Sequence, residues 1–68
     1  MERGHSDMRF NRCRKILQAN GFFMRSTRGG HVKFYNSETN KNLVITFPAV
    51  NRMLWNRLIK EYNINDGI

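Results

Sequence analysis

The chain has one cysteine, one proline and only five acidic side chains in 68 residues, and each scarcity excludes a class of protein. A lone Cys13 rules out an internal disulfide framework and agrees with a reducing compartment. With no base beside it in sequence, Cys13 reads as a small buried hydrophobe rather than a nucleophile. Nowhere does an apolar run approach the roughly 18 residues that a membrane span requires. The opening MERGHSD also lacks the apolar centre of a secretory signal. The expectation is a soluble, cytoplasmic protein with no membrane contact. Glu38, Glu61 and the terminal acids show no spacing suited to paired-carboxylate catalysis. His5, Cys13 and His31 show no metal-ligand spacing, so neither a metal nor another cofactor is expected.

The shortage of acids leaves twelve Lys and Arg against five Asp and Glu, a net charge of +7. Such an excess suits a polyanionic partner, nucleic acid first and an acidic protein second. Five Phe, two Tyr and a Trp are too many for a disordered tail, so the chain reads as one small folded domain over residues 7–64. Residues 1–6, without periodicity, read as a flexible N-terminal arm or a remnant of cloning, and His5 with them carries no weight.

From Ser6 or Asp7 as N-cap, MRFNRCRKILQAN places Phe10, Cys13, Ile16 and Leu17 at helical spacing, with Arg9, Arg12 and Lys15 elsewhere around the wheel. Asn20-Gly21 stops that helix. FFMRS reads as a first strand and TRGG as a loop. HVKFYN alternates, with Val32 and Phe34 on one face and His31, Lys33 and Tyr35 on the other. SETNK is a turn. NLVITF then repeats the alternation, with Leu43, Ile45 and Phe47 inward and Val44 and Thr46 outward, until Pro48 ends the strand. In VNRMLWNRLIKEYNI, Val50, Leu54, Trp55, Leu58, Ile59 and Tyr62 form a helical stripe. Asn63 suits the left-handed cap, and Ile64 packs back on Ile59. The predicted class is α+β in the order αβββα, a three-stranded antiparallel sheet with both helices on one face. The other face stays open, carrying Lys33, Tyr35, Thr46 and His31.

Four segments, KILQANGF, RSTRGGH, VITFP and RLIKEYNI, stand in an order and spacing that resemble the HicA family of bacterial toxins, over about Asp7 to Ile64. The resemblance implies a double-stranded-RNA-binding-domain-like fold, mRNA cleavage, growth arrest and neutralisation by a HicB-type antitoxin. The family's catalytic histidine matches His31. Where the family more often has Ser or Thr before that histidine, this chain has Gly30.

RNA carries its own nucleophile, the 2′-hydroxyl, so its cleavage requires a base, an acid for the leaving 5′-oxygen and positive charge for the phosphorane. Histidine suits proton transfer near neutrality. His31 is the candidate base or acid, and Arg28, Lys33 or Arg25 the candidate phosphate contact. Gly29 and Gly30 allow close backbone approach to a phosphate, or form a plain hairpin loop. Tyr35 joins the RNA-contacting set, and Tyr35 and Lys33 are the candidates for the second proton-transfer group. Trp55 and Phe22 are expected in the core rather than as stacking platforms. A solvated face is the default for Arg9, Arg12 and Arg14. Two rival readings are a non-catalytic module that holds double-stranded RNA and an adaptor for an acidic protein. On the first reading, an antitoxin would mask His31.

Overall fold

The computed structural model describes residues 7–67; the expected arm, residues 1–6 with His5, lies outside the described residues. The elements in chain order are β1 (Met8–Arg9), α1 (Phe10–Ala19), β2 (Phe22–Arg28), β3 (His31–Asn36), β4 (Lys41–Thr46), β5 (Ala49–Val50) and α2 (Arg52–Glu61). Strands β2, β3 and β4 form an antiparallel sheet in that order, and β1 pairs with β5 in a separate two-stranded ribbon. Among the described residues no helix is long and apolar enough to cross a membrane.

The α+β class and the three-stranded sheet agree with the sequence pattern. Phe10, Cys13, Ile16 and Leu17 of α1 are buried, as are Trp55 and Leu58 of α2. They share one core with Val32, Phe34, Leu43 and Ile45, which the period-2 alternation sets on one face of the sheet. Each fully buried Leu, Ile or Phe contributes about 1.5–3 kcal/mol, so a domain this small depends on nearly every one.

Glycine and asparagine end both helices. Gly21, at φ +91, follows α1, and its N–H donates to the Gln18 carbonyl at 3.1 Å. Asn63, at φ 55, follows α2 and lets the Ile64 N–H reach back to the Ile59 carbonyl at 3.0 Å. That six-to-one bond with a buried Ile64 behind it is the Schellman arrangement.

Several expectations fail in detail. Helix α1 starts at Phe10, not after Ser6 or Asp7, because Met8 and Arg9 are taken by pairing with Val50 and Ala49. The first helical N–H, on Phe10, donates to the Pro48 carbonyl at 3.0 Å, so the ribbon supplies a partner that no side-chain cap provides. Val50 is buried in β5 rather than in α2, whose start is capped by Asn51; its Oδ1 accepts from the N–H groups of Met53 and Leu54. Phe47 is 57% exposed. It lies beyond β4, with its ring edge-on to Phe10 at 5.2 Å, and gains only that partial cover. Finally, Thr27 and Arg28 belong to β2 and Lys41 to β4, so both hairpin loops are shorter than expected.

Candidate nucleic-acid interface

Gly29 and Gly30 have φ of +52 and +84. Positive φ at both central residues is the type I′ signature, the two-residue turn whose twist matches that of a hairpin. The turn extends β2 to Arg28 and makes Arg28 the direct partner of His31, with Thr27 opposite Val32 and Ser26 opposite Lys33. Reading TRGG as a four-residue loop hid this register. Counting outward from a Gly-Gly I′ turn finds it.

Cross-strand partners share a face, so the register defines the open side of the sheet. Along it run Arg28, Ser26 and Phe23 on β2, His31, Lys33 and Tyr35 on β3, and Thr46, Val44 and Asn42 on β4. Arg25 has no strand partner, because the β2–β3 register shifts between Met24 and Ser26. Such a bulge re-aims the extra side chain, and the Arg25 guanidinium stands over the Tyr35 ring, 4.9 Å from its centroid. All the residues expected to contact RNA (Arg25, Arg28, Gly29, Gly30, Lys33 and Tyr35) therefore lie on this face or in the turn at its end.

His31 is exposed, as are Arg25, Arg28 and Lys33. Ser26, Thr27, Arg28, His31, Lys33 and Val44 line one hollow, about 7 Å separating His31 from Lys33 along β3 at the usual strand rise. Ser26, Thr27 and Val44 were not singled out from sequence. The described carboxylates are elsewhere. Glu38 and Glu61 border a hollow at the opposite end of the sheet, and Asp7 and Asp66 border another beside Arg9, Arg12 and Arg52. Among the described residues the His31 hollow is thus lined by cations without a neighbouring acid, a field that attracts a phosphate backbone.

Two hydroxyls on this face are already engaged. Thr46 lies on the open face as the alternation places it, but its Oγ1 donates to the Ala49 carbonyl and the residue is half-buried, so the hydroxyl is not free. Tyr35 Oη donates to Asn40 Oδ1 at 2.9 Å, and it stands four residues from His31, about 13 Å along the strand. That distance separates Tyr35 from any proton transfer at His31 and leaves Lys33 as the nearer of the two candidates. Tyr35 serves instead as the ring beneath Arg25.

Behind the turn the backbone is fixed. The Phe47 N–H donates to the Gly30 carbonyl at 2.8 Å, tying β4 to the glycines. A Cβ added at Gly29 would meet nothing within 4 Å, so the turn presents bare backbone to open space. Cys13 is fully buried, and burial pushes its thiol up to about 11 against the opposing pull of Arg12 and Arg52. It is a core residue. Among the described residues no three His, Cys, Asp or Glu side chains gather as a metal site. No model of a known family, no curated protein and no solved structure matches this chain.

Proposed function

We propose that the chain is the toxin of a bacterial toxin–antitoxin pair, a HicA-like endoribonuclease that cleaves mRNA in the cytoplasm without a metal. On this reading residues 7–64 form a double-stranded-RNA-binding-domain-like αβββα fold, and the β1–β5 ribbon is an addition to it. The observation that carries the proposal is the position of His31. It is exposed directly behind the Gly29–Gly30 turn, paired with Arg28 and flanked by Lys33, in a hollow to which no carboxylate among the described residues contributes.

In the reaction, the His31 imidazole takes the proton of an RNA 2′-hydroxyl. The 2′-oxygen bonds to phosphorus, the bond from phosphorus to the 5′-oxygen breaks, and that oxygen takes a proton from the Lys33 ammonium and leaves as the next nucleotide's hydroxyl. The His31 imidazolium and the Lys33 amine then exchange one proton through solvent. The products are a 2′,3′-cyclic phosphate and a 5′-hydroxyl end. Arg28 and Lys33 stabilise the charge on the phosphorane, and Arg25 holds the strand further along the face. A HicB-type antitoxin neutralises the toxin by covering His31.

The test is incubation of the purified chain and its His31→Ala variant with a long single-stranded RNA in the presence of a chelator. Fragments ending in cyclic phosphate from the parent alone support the proposal; equal cutting by both sinks it. One observation favours a second reading, a non-catalytic RNA-binding module: among the described residues, His31 has neither a second histidine nor a carboxylate in its hollow. Intact RNA bound tightly and salt-dependently would select that reading.

A further inference from the structure

The end of the open face away from His31 carries a feature that neither cleavage nor the glycine turn uses. Phe23 is 60% exposed, although a ring of that size normally dominates a core. It sits on β2, an edge strand, where exposed apolar side chains invite pairing with other chains and are normally replaced by charge. Its cross-strand partner on the same face is Tyr35, whose ring lies under the Arg25 guanidinium. Among the described residues none of the aromatic pairs includes Phe23. Val44, 41% exposed, lies on the same face one row nearer His31, opposite Lys33.

We infer that Phe23, with Tyr35 and Arg25 beside it, is a stacking platform for the bases of single-stranded RNA, holding the strand a few nucleotides from the phosphate at His31. The chemistry is that of single-strand binders, which combine a cationic track for the backbone with exposed rings that receive base faces. The charge on this face supports that occupant: Arg25, Arg28 and Lys33 are exposed along it, while Glu38 and Glu61, at the same end of the sheet, border a hollow with the buried Phe22 and Asn36 instead. Phe23 supplies the free ring. Tyr35, about four strand residues or 13 Å from His31, is held in place by its bond to Asn40 and by Arg25. A duplex keeps its base faces stacked on one another, so the platform selects single strands, in line with an mRNA substrate. This inference rests on the RNA-facing half of the proposed function and is independent of cleavage.

The experiment uses the intact chain and a labelled RNA oligomer made with 2′-O-methyl sugars, which lacks the nucleophile and cannot be cut. Binding is followed by fluorescence anisotropy for this oligomer and for an abasic oligomer of equal length. Circular dichroism reports that each variant is folded, and for Phe23→Leu the fluorescence of the fully buried Trp55 reports it as well. Phe23→Leu keeps an apolar side chain and removes the π face. It should weaken binding of the base-bearing oligomer by about 5- to 150-fold, and leave the abasic oligomer unaffected. Its slope of affinity against salt should also match the parent's, because no phosphate contact is lost. Phe23→Trp should restore or tighten binding. A Phe23→Leu variant that binds like the parent, or that loses equally on both oligomers, overturns the platform. A parent chain that binds neither oligomer at low salt overturns the platform and RNA binding together, leaving an acidic protein with an apolar surface as the occupant. A stacking signature with no cleavage of ordinary RNA retains the platform and removes only the nuclease.

Discussion

The two ends of the three-stranded sheet are built in opposite ways. At one end the loop between β3 and β4 is held by side chains. Buried Asn36 accepts from the N–H groups of Glu38 and Thr39 at 2.9 and 3.3 Å and donates to the Asn20 carbonyl at 3.1 Å. Asn20 in turn exchanges two hydrogen bonds with the backbone of Asn65, at 2.9 and 2.8 Å. Tyr62 Oη adds a bond to the Asn42 carbonyl at 2.8 Å. At the other end Gly29 and Gly30 turn the chain without any side chain, and His31, Arg28 and Lys33 stand exposed around them. Local order is concentrated at the asparagine end. The histidine end keeps its charged groups unburied and is held by backbone pairing with one side-chain bond, from Thr46 to the Ala49 carbonyl, which suits the proposed binding of a flexible polyanion.

The sharpest way to separate the two ends is to remove one side chain from each. At the histidine end, His31→Ala should lower RNA cleavage by about 10²–10⁴-fold and leave the thermal midpoint unchanged, since the side chain is exposed. Quantified RNA fragments and a circular-dichroism melt, taken on the same sample, read both effects. Raising the pH loosens both ends together, through the core they share. Cys13 titrates near 9 when unfolded and near 11 in the fold. Its raised pKa contributes stability that is complete below pH 9 and is lost as the pH climbs through 11. At 1.4 kcal/mol for each pH step, the loss approaches about 2–3 kcal/mol, and urea melts at pH 8 and 11 compared with Cys13→Ala would register it.

At the asparagine end, Asn36→Ala orphans the Glu38 and Thr39 N–H groups and the Asn20 carbonyl, and should cost about 2 kcal/mol. For a domain of this size that shifts the midpoint by roughly 10 °C. Cleavage per folded molecule should stay at the parent level. A cleavage loss larger than the unfolded fraction explains would show that the two ends are coupled, and the comparison would fail.

Much of this division is legible in the sequence. The alternation in HVKFYN and NLVIT placed Val32, Phe34, Leu43 and Ile45 inward and His31 and Lys33 outward, because period-2 patterning is local and one face must be buried. Two-residue strands were not legible. Met8–Arg9 and Ala49–Val50 pair only because tertiary packing brings them together, and no periodicity can appear in so short a run. Phe47 was misplaced for a related reason: alternation gives the direction of a side chain but not where the covering helix begins. Asn36 ends β3 as the alternation implies, and its position before a polar turn is also where an Asx side chain bonds the backbone two residues on, a role that the strand pattern alone does not show. Arg25 over Tyr35 was invisible, since a bulge breaks the register that sequence alone extrapolates. The indole N–H of Trp55 is buried with no hydrogen-bond partner among the described residues, and no other feature of the fold accounts for it.

The smallest expected effect decides what the glycine turn is for. Gly29 adopts φ +52, a conformation that asparagine tolerates, and Asn-Gly is the favoured pair in a type I′ turn. A Cβ there points into open space, so Gly29→Asn should change stability by less than about 0.5 kcal/mol. If the turn only reverses the chain, RNA binding and cleavage will also match the parent, because the backbone N–H groups are unmoved. If a phosphate sits against the bare backbone, the added side chain occupies its place, and affinity for the uncleavable oligomer falls while the melt does not move. Gly30, with the Phe47 carbonyl 3.5 Å from where its Cβ would stand, cannot make this distinction, since φ +84 strains any other residue. The expected result for Gly29→Asn is an unchanged melt with weakened RNA binding, because the backbone of this turn is open to a close approach that the side-chain-filled asparagine end does not offer.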